Sequence, residues 1–140
     1  NYGWNLKEGD FLFDAEDTAV GVPLEDPALI DPVLQYDHDD GLAVVGGHLY
    51  RGTLEPQLQG LYVFGDYSRA FSSPQGRLFV ANLWTGQIQE LLVGADRTPL
   101  NLFLKGIGQD HDGEIYILAS EALGPYGTTG VVLKIVEAQS

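Results

Sequence analysis

The sequence predicts an all-β fold, and three observations carry the prediction. Glycine and proline are abundant, at 18 and 7 of 140 residues. Such a density of turn formers leaves little room for long helices. Seven Tyr, six Phe and two Trp suit half-buried pleated surfaces. A short pattern also recurs, as Gly60-Leu61-Tyr62-Val63-Phe64, Gly76-Arg77-Leu78-Phe79-Val80 and Gly113-Glu114-Ile115-Tyr116-Ile117. Each copy opens on a turn residue and continues as a buried strand.

Residues 1–41 read as an irregular acidic excursion, with glycines and prolines spread among carboxylates. A short extended piece is expected at Pro32–Asp37, and one apolar turn at Ala28–Ile30. Loops this long inside compact domains are usually functional or held by a larger body. From Leu42 the texture becomes regular. Leu42–Arg51 reads as a strand interrupted by Gly46-Gly47, which predicts a bulge or a close backbone approach. Gln87–Val93 and Val131–Val136 supply hairpin partners, with tight turns at Thr85-Gly86 and Asp112-Gly113.

Residues 42–93 thus give four consecutive antiparallel strands, and residues 99–137 about three more. A propeller blade has four strands in roughly 40–45 residues. A face-packed sandwich accommodates eight strands equally well. The repeated hairpin opening favours a single-domain partial β-propeller of about two blades: an acidic loop at 1–41, a blade at 42–98 and an incomplete last blade at 99–140.

The formal net charge is −13, from 20 acidic and 7 basic residues. Phosphate binding needs clustered Lys and Arg, so a nucleic-acid partner is not expected, nor an anionic membrane surface. With no Cys there is neither a disulfide frame nor thiolate chemistry. No apolar run approaches the roughly 20 residues that span a bilayer. The chain opens on Asn1 and contains no Met, as expected of a processed product or an excised piece. The Gly-Lys-Ser/Thr phosphate loop, the His-Glu-x-x-His metal motif and the Gly-x-Ser-x-Gly elbow are all missing.

Six segments come in an order that resembles a known family. They are Asn1-Tyr2-Gly3-Trp4, His38-Asp39-Asp40-Gly41, Gly46 to Gly52, Leu58 to Asp66, Gly76 to Ala81 and Gly106 to Tyr116. Together they resemble the last third of the glucose/sorbosone dehydrogenases, the soluble aldose dehydrogenases that depend on pyrroloquinoline quinone (PQQ). That resemblance implies a secreted or periplasmic six-bladed propeller. In the family, PQQ and calcium lie at the mouth of the channel, and a His base from an earlier blade takes the sugar proton. The chain begins after that His and after the carbonyls that hold the calcium. The resemblance therefore implies an oxidoreductase fragment with no catalytic residue of its own, inactive alone, that need retain neither PQQ nor calcium.

Lys105 reads as a loop residue just before the Gly-rich turn into the Gly113 strand, and the same resemblance implies cofactor contacts there and at Arg69, with Tyr67 or Ser68 as alternatives at the second position. A cation in a dry cleft binds the PQQ carboxylates strongly. It also places Tyr36, His38 and Asp39 on the sugar-lining loop, where carboxylate and imidazole can bond to hydroxyls. The run Asp37–Gly41 has the wrong spacing for an EF-hand. Relatives in that family hold a structural calcium close to the point where Glu8, Asp10, Asp14, Glu16 and Asp17 cluster; the matching ligand position falls near Leu12, with Asp10 or Asp14 as the alternative ligand. Otherwise these acids form a solvated loop, Arg51 is structural through an acid or a carbonyl, and Trp4 and Trp84 are packing residues. His48 has no evident partner in sequence.

Two further readings compete. One is a non-catalytic extracellular propeller module that binds protein or carbohydrate. The other is self-assembly, because two blades leave open sheet edges and three chains could close a ring. The partners expected are a sugar substrate and either the remaining blades or further copies of the chain. If the enzyme reading holds, Tyr36, Arg69 and Lys105 should converge on one rim.

Overall fold

The computed structural model describes residues 1–14, 16 and 21–137, and the chain divides into two compact units, Asn1–Asp37 and His38–Ser140. In the first, β1 (Lys7–Glu8) and β2 (Phe11–Leu12) form a small antiparallel hairpin, and Phe11 bridges to Pro23. The irregular stretch thus contains a hairpin that its composition did not suggest. No strand forms at Pro32–Asp37. Leu29, in the predicted apolar turn, is buried. The Lys7 side chain is buried too, with its amine paired to the exposed Asp31 carboxylate. Trp4 is not a buried packing residue: it is largely exposed and tilts against Phe13 at 4.5 Å between centroids.

The second unit is all-β apart from one 3-10 turn at Pro56–Leu58 among its described residues. Strands β3 (Val44–Leu49), β4 (Tyr62–Asp66), β5 (Arg77–Asn82) and β6 (Gln87–Glu90) form an antiparallel sheet in sequence order. Strands β7 (Phe103–Gln109), β8 (Ile115–Ser120) and β9 (Val131–Lys134) form a second, again in order. Successive hairpins of this kind, four strands and then three, are compatible with part of a propeller. The leading strands β3 and β7 lie against each other. Gln109 Nε2 crosses between them and donates to the Leu49 carbonyl at 2.9 Å.

Alternation along the strands builds the core. Val63, Leu78, Val80, Leu104, Ile115, Ile117 and Ala119 turn to one shared layer with Tyr50, Leu58 and Leu100. Burying each large aliphatic side chain contributes about 1.5–3 kcal/mol. The predicted irregularity at Gly46-Gly47 is present: the β3–β4 register shifts between Val45 and His48. Gly47 is held against β4 so closely that an added Cβ would overlap the Val63 carbonyl oxygen and lie 2.8 Å from its carbon. The two predicted tight turns are present as well, with Gly86 and Gly113 at φ of 71° and 84°.

Two placements differ from the sequence reading. Lys105 lies within strand β7, not in a loop before a turn. A second register shift, between Leu104 and Gly106, interrupts the alternation there. Trp84 is 98% exposed and packs on nothing in the unit's core. It sits in the β5–β6 turn, where Asn82 Oδ1 accepts from the N–H of Trp84 at 2.9 Å and of Thr85 at 3.2 Å.

Candidate functional site

At one end of the second unit, the buried Asp66 carboxylate organises the chain around it. It accepts from the N–H of Leu42 (3.1 Å), Ala43 (3.0 Å) and Ser68 (2.9 Å). Three backbone donors thus hold the Asp66 carboxylate. Ser68 is also buried; its hydroxyl donates within the turn to Ala70 and Ser73 and accepts from Gln75 N–H. These bonds fix the backbone from which Tyr67 and Arg69 project.

Tyr67 and Lys105 meet. Lys105 Nζ donates to the Leu123 carbonyl at 2.6 Å and to Tyr67 Oη at 3.3 Å, and Tyr67 Oη also donates to Leu123 O. The ammonium lies 4.9 Å from the Tyr67 ring centroid and 5.2 Å from that of Phe103. This arrangement is a clamp on the β8–β9 connection. The Lys105 charge is already engaged by a carbonyl and two aromatic faces. Arg69 follows in the same turn with its side chain exposed. Among the described residues it forms no ion pair. His38 and Asp39 are exposed in the turn ahead of β3, and the half-buried Tyr36 belongs to the first unit. Of the predicted cofactor residues, Tyr67 and Lys105 are thus in contact, whereas no hydrogen bond or ion pair among the described residues joins Arg69 to Lys105.

Nearby, Arg77 forms a two-pronged contact with Glu90, at 3.0 Å from Nε and 2.9 Å from Nη2, and also donates to the Asp40 carbonyl. The Glu90 bond raises the Arg77 pKa above its ordinary value. Among the described residues no group of three His, Asp or Glu side chains gathers as a metal would require. Asp17, one of the acids considered for calcium, lies outside the described residues.

The opposite end is built on a pair that the sequence reading missed. Tyr50 Oη donates to Glu114 Oε2 at 2.7 Å and accepts from the Glu55 N–H at 2.8 Å. Glu114 Oε1 accepts from the N–H of Thr53 and Leu54 at 2.7 and 3.1 Å. Burial pushes the Glu114 carboxyl up, but these donors outweigh it and its pKa lies below the ordinary value. Glu55 moves the other way: burial, then the charges of Glu137 and Glu114, raise it. Glu55 Oε1 is buried with no hydrogen-bond partner. Tyr50 and Glu114 stand 64 positions apart, so only the fold brings them together.

Beside this end is an open depression of about 380 Å³. Gly47, His48, Arg51, Tyr62, Leu83 and Gln109 border it. Arg51 was expected to pair with an acid or a carbonyl. Its backbone does bond, N–H to Gly113 O at 3.4 Å, but among the described residues its guanidinium forms no such pair. No carboxylate lines the depression, although the chain carries 20.

No family model matches the chain. Among known proteins it is similar to Hedgehog-interacting protein of Mus musculus, 36% identical over 97 residues, covering 67% of this chain and 13% of that protein. The human Hedgehog-interacting protein is 35% identical over the same shares. HIPL2 protein of Arabidopsis thaliana is 24% identical over 151 aligned positions, covering 88% of this chain and 20% of the relative. The chain thus spans between a tenth and a fifth of the length of the curated relatives it matches.

These relatives correct the family expectation. They are Hedgehog-interacting and HIPL proteins, not PQQ-dependent sugar dehydrogenases. The reading as an oxidoreductase fragment falls with that finding. No sugar substrate is supported, and the cofactor and sugar roles given to Tyr67, Arg69, Lys105, Tyr36, His38 and Asp39 lose the resemblance they rested on. No helix among the described residues is long and apolar enough to cross a membrane.

Proposed function

We propose that the chain is a non-catalytic part of an extracellular propeller that binds other proteins. The observation that carries this reading is the similarity to Hedgehog-interacting protein over two thirds of the chain. Two chemical features support it. Lys105 spends its charge on Leu123 and two rings, which suits a structural clamp better than a reacting centre. Exposed Trp84, Phe71 and Tyr126 supply the aromatic side chains in which protein interfaces are enriched.

Surface plasmon resonance with the purified chain flowed over an immobilised Hedgehog protein tests the reading. Saturable binding is expected. A flat response up to about 100 μM, already weak for a specific protein contact, would refute it.

A further inference from the structure

The depression beside β3 combines two features that are unusual in so acidic a chain. The first is electrostatic. Of the basic side chains, Lys7, Arg77 and Lys134 face carboxylates and Lys105 faces a carbonyl and two rings. Arg51, Arg69 and Arg97 are exposed with no ion pair among the described residues, and of these three only Arg51 borders the depression, with the half-buried His48 on the same lining. The Tyr62 hydroxyl, which accepts from Gly47 N–H at 3.1 Å, adds an O–H donor to the same wall. Its lining therefore offers donors and positive charge in a molecule of net charge −13.

The second feature is apolar and rigid. Leu83 forms part of the lining, and the next residue, Trp84, stands 98% exposed. The turn that carries them is braced by Asn82 Oδ1 at two N–H groups, so the indole is presented by a fixed backbone. An exposed Trp next in sequence to the lining Leu83, with an unpaired Arg on the same depression, has the composition of an interface hot spot. The braced turn lowers the backbone share of the ordering cost of binding.

We infer that Arg51, His48, Leu83 and Trp84 form a docking surface for a protein that presents a carboxylate side chain next to an apolar recess. Arg51 takes the carboxylate in a two-pronged contact, with the Tyr62 hydroxyl alongside, and Trp84 fills the recess. Charge complementarity selects this occupant. A basic partner finds no counter-ion in the lining, and a second copy of this chain brings 13 further net negative charges to the approach. The surface deepens the protein-binding reading above and rests on it for its biological partner.

Two arms separate the two ideas. In the first, an acetylated, amidated peptide alternating Asp and Leu is titrated into the isotope-labelled chain and followed by amide and indole NMR shifts. Saturable shifts are expected at Gly47, His48, Arg51 and Trp84. They should vanish in Arg51→Glu and when Asn replaces Asp in the peptide. Shifts elsewhere, or equal shifts with the Asn peptide, overturn the proposal. In the second arm, the surface-plasmon measurement is repeated with Arg51→Glu, Trp84→Ser and, as a control, Arg97→Glu. At least a tenfold loss is expected for the first two and less than twofold for the third. Unchanged binding by both site variants sinks the docking surface while leaving protein binding intact. A wild-type chain that responds to the Asp peptide but not to the immobilised protein sinks the choice of partner and keeps the surface. Unaltered circular dichroism and denaturation midpoints of the variants exclude unfolding as the cause.

Discussion

Gly46 and Gly47 are adjacent in one bulge, yet the structure gives them opposite tolerance. An alanine Cβ at position 46 has only Tyr62 Oη within reach, at 3.9 Å. The same atom at position 47 would overlap Val63 O, lie 2.8 Å from Val63 C and 3.1 Å from Phe64 Cα. Ordinary carbon–carbon contact begins near 3.5 Å, so β3 and β4 must part by about 0.7 Å to relieve the carbonyl carbon alone, and further for the oxygen. Separation of about 1 Å stretches a ladder bond from ~2.9 Å to ~3.9 Å, beyond hydrogen-bonding range. Each bond lost costs about 1 kcal/mol, and forced packing adds about 1–3 kcal/mol. Gly47→Ala is therefore expected to destabilise by about 3 kcal/mol. Gly46→Ala should fall between neutral and about 0.5 kcal/mol stabilising, because the change removes freedom from the unfolded chain. Urea denaturation followed by far-ultraviolet circular dichroism measures both; tryptophan emission is the poorer probe because both indoles are exposed. Equal midpoints for the two variants, within about 0.5 kcal/mol, would refute the bulge geometry.

Three more outcomes follow from the hydrogen-bond pattern. Tyr50→Phe removes the bonds to Glu114 and Glu55 N–H and leaves a buried donor unpaired, a loss of about 2–3 kcal/mol by urea titration. The pH dependence has two opposed limbs. Glu114, held low, supplies stability above the ordinary carboxylate range that disappears as pH falls through its folded value, so Glu114→Gln should flatten the acid limb. Glu55, held high, costs stability as pH rises from the ordinary carboxylate value through its folded one. Glu55→Gln should therefore stabilise by about 1 kcal/mol at neutral pH and by nothing near pH 4, and a pH-independent difference would contradict this. Lys105→Met should release the β8–β9 connection, seen as faster amide exchange over residues 121–130, with global stability changed by less than about 1 kcal/mol.

Much of the fold was legible because period-two patterning is local. Tyr62–Phe64, Leu78–Val80 and Ile115–Ile117 sit in strands as their alternation requires, and Gly46-Gly47 marks the bulge. Lys105 was misplaced because Gly106 and Gly108 mimic a turn, whereas here they lie in a bulged strand. Trp84 illustrates a different limit. Its ring favours burial, but whether anything covers a turn is decided by distant chain. The Tyr50–Glu114 pair was hidden for the same reason, and no spacing rule links residues 64 apart. Arg51 left a faint signal, as one of 7 cations among 20 acids with no carboxylate close by in sequence beyond Glu55. The family itself was misjudged because glycine-aromatic hairpin openings are shared by propellers whose partners differ.

Strand β9 has no neighbour on its outer side among the described residues, and all four of its residues are exposed. Val131, Val132 and Leu133 bear no charge, so Lys134 is its sole gatekeeper against strand stacking. The surplus of carboxylates behind the net charge of −13 opposes such stacking through mutual repulsion. Acidification that neutralises those carboxylates removes the barrier and leaves a ready template, so the chain is best concentrated and stored well above the carboxylate titration range.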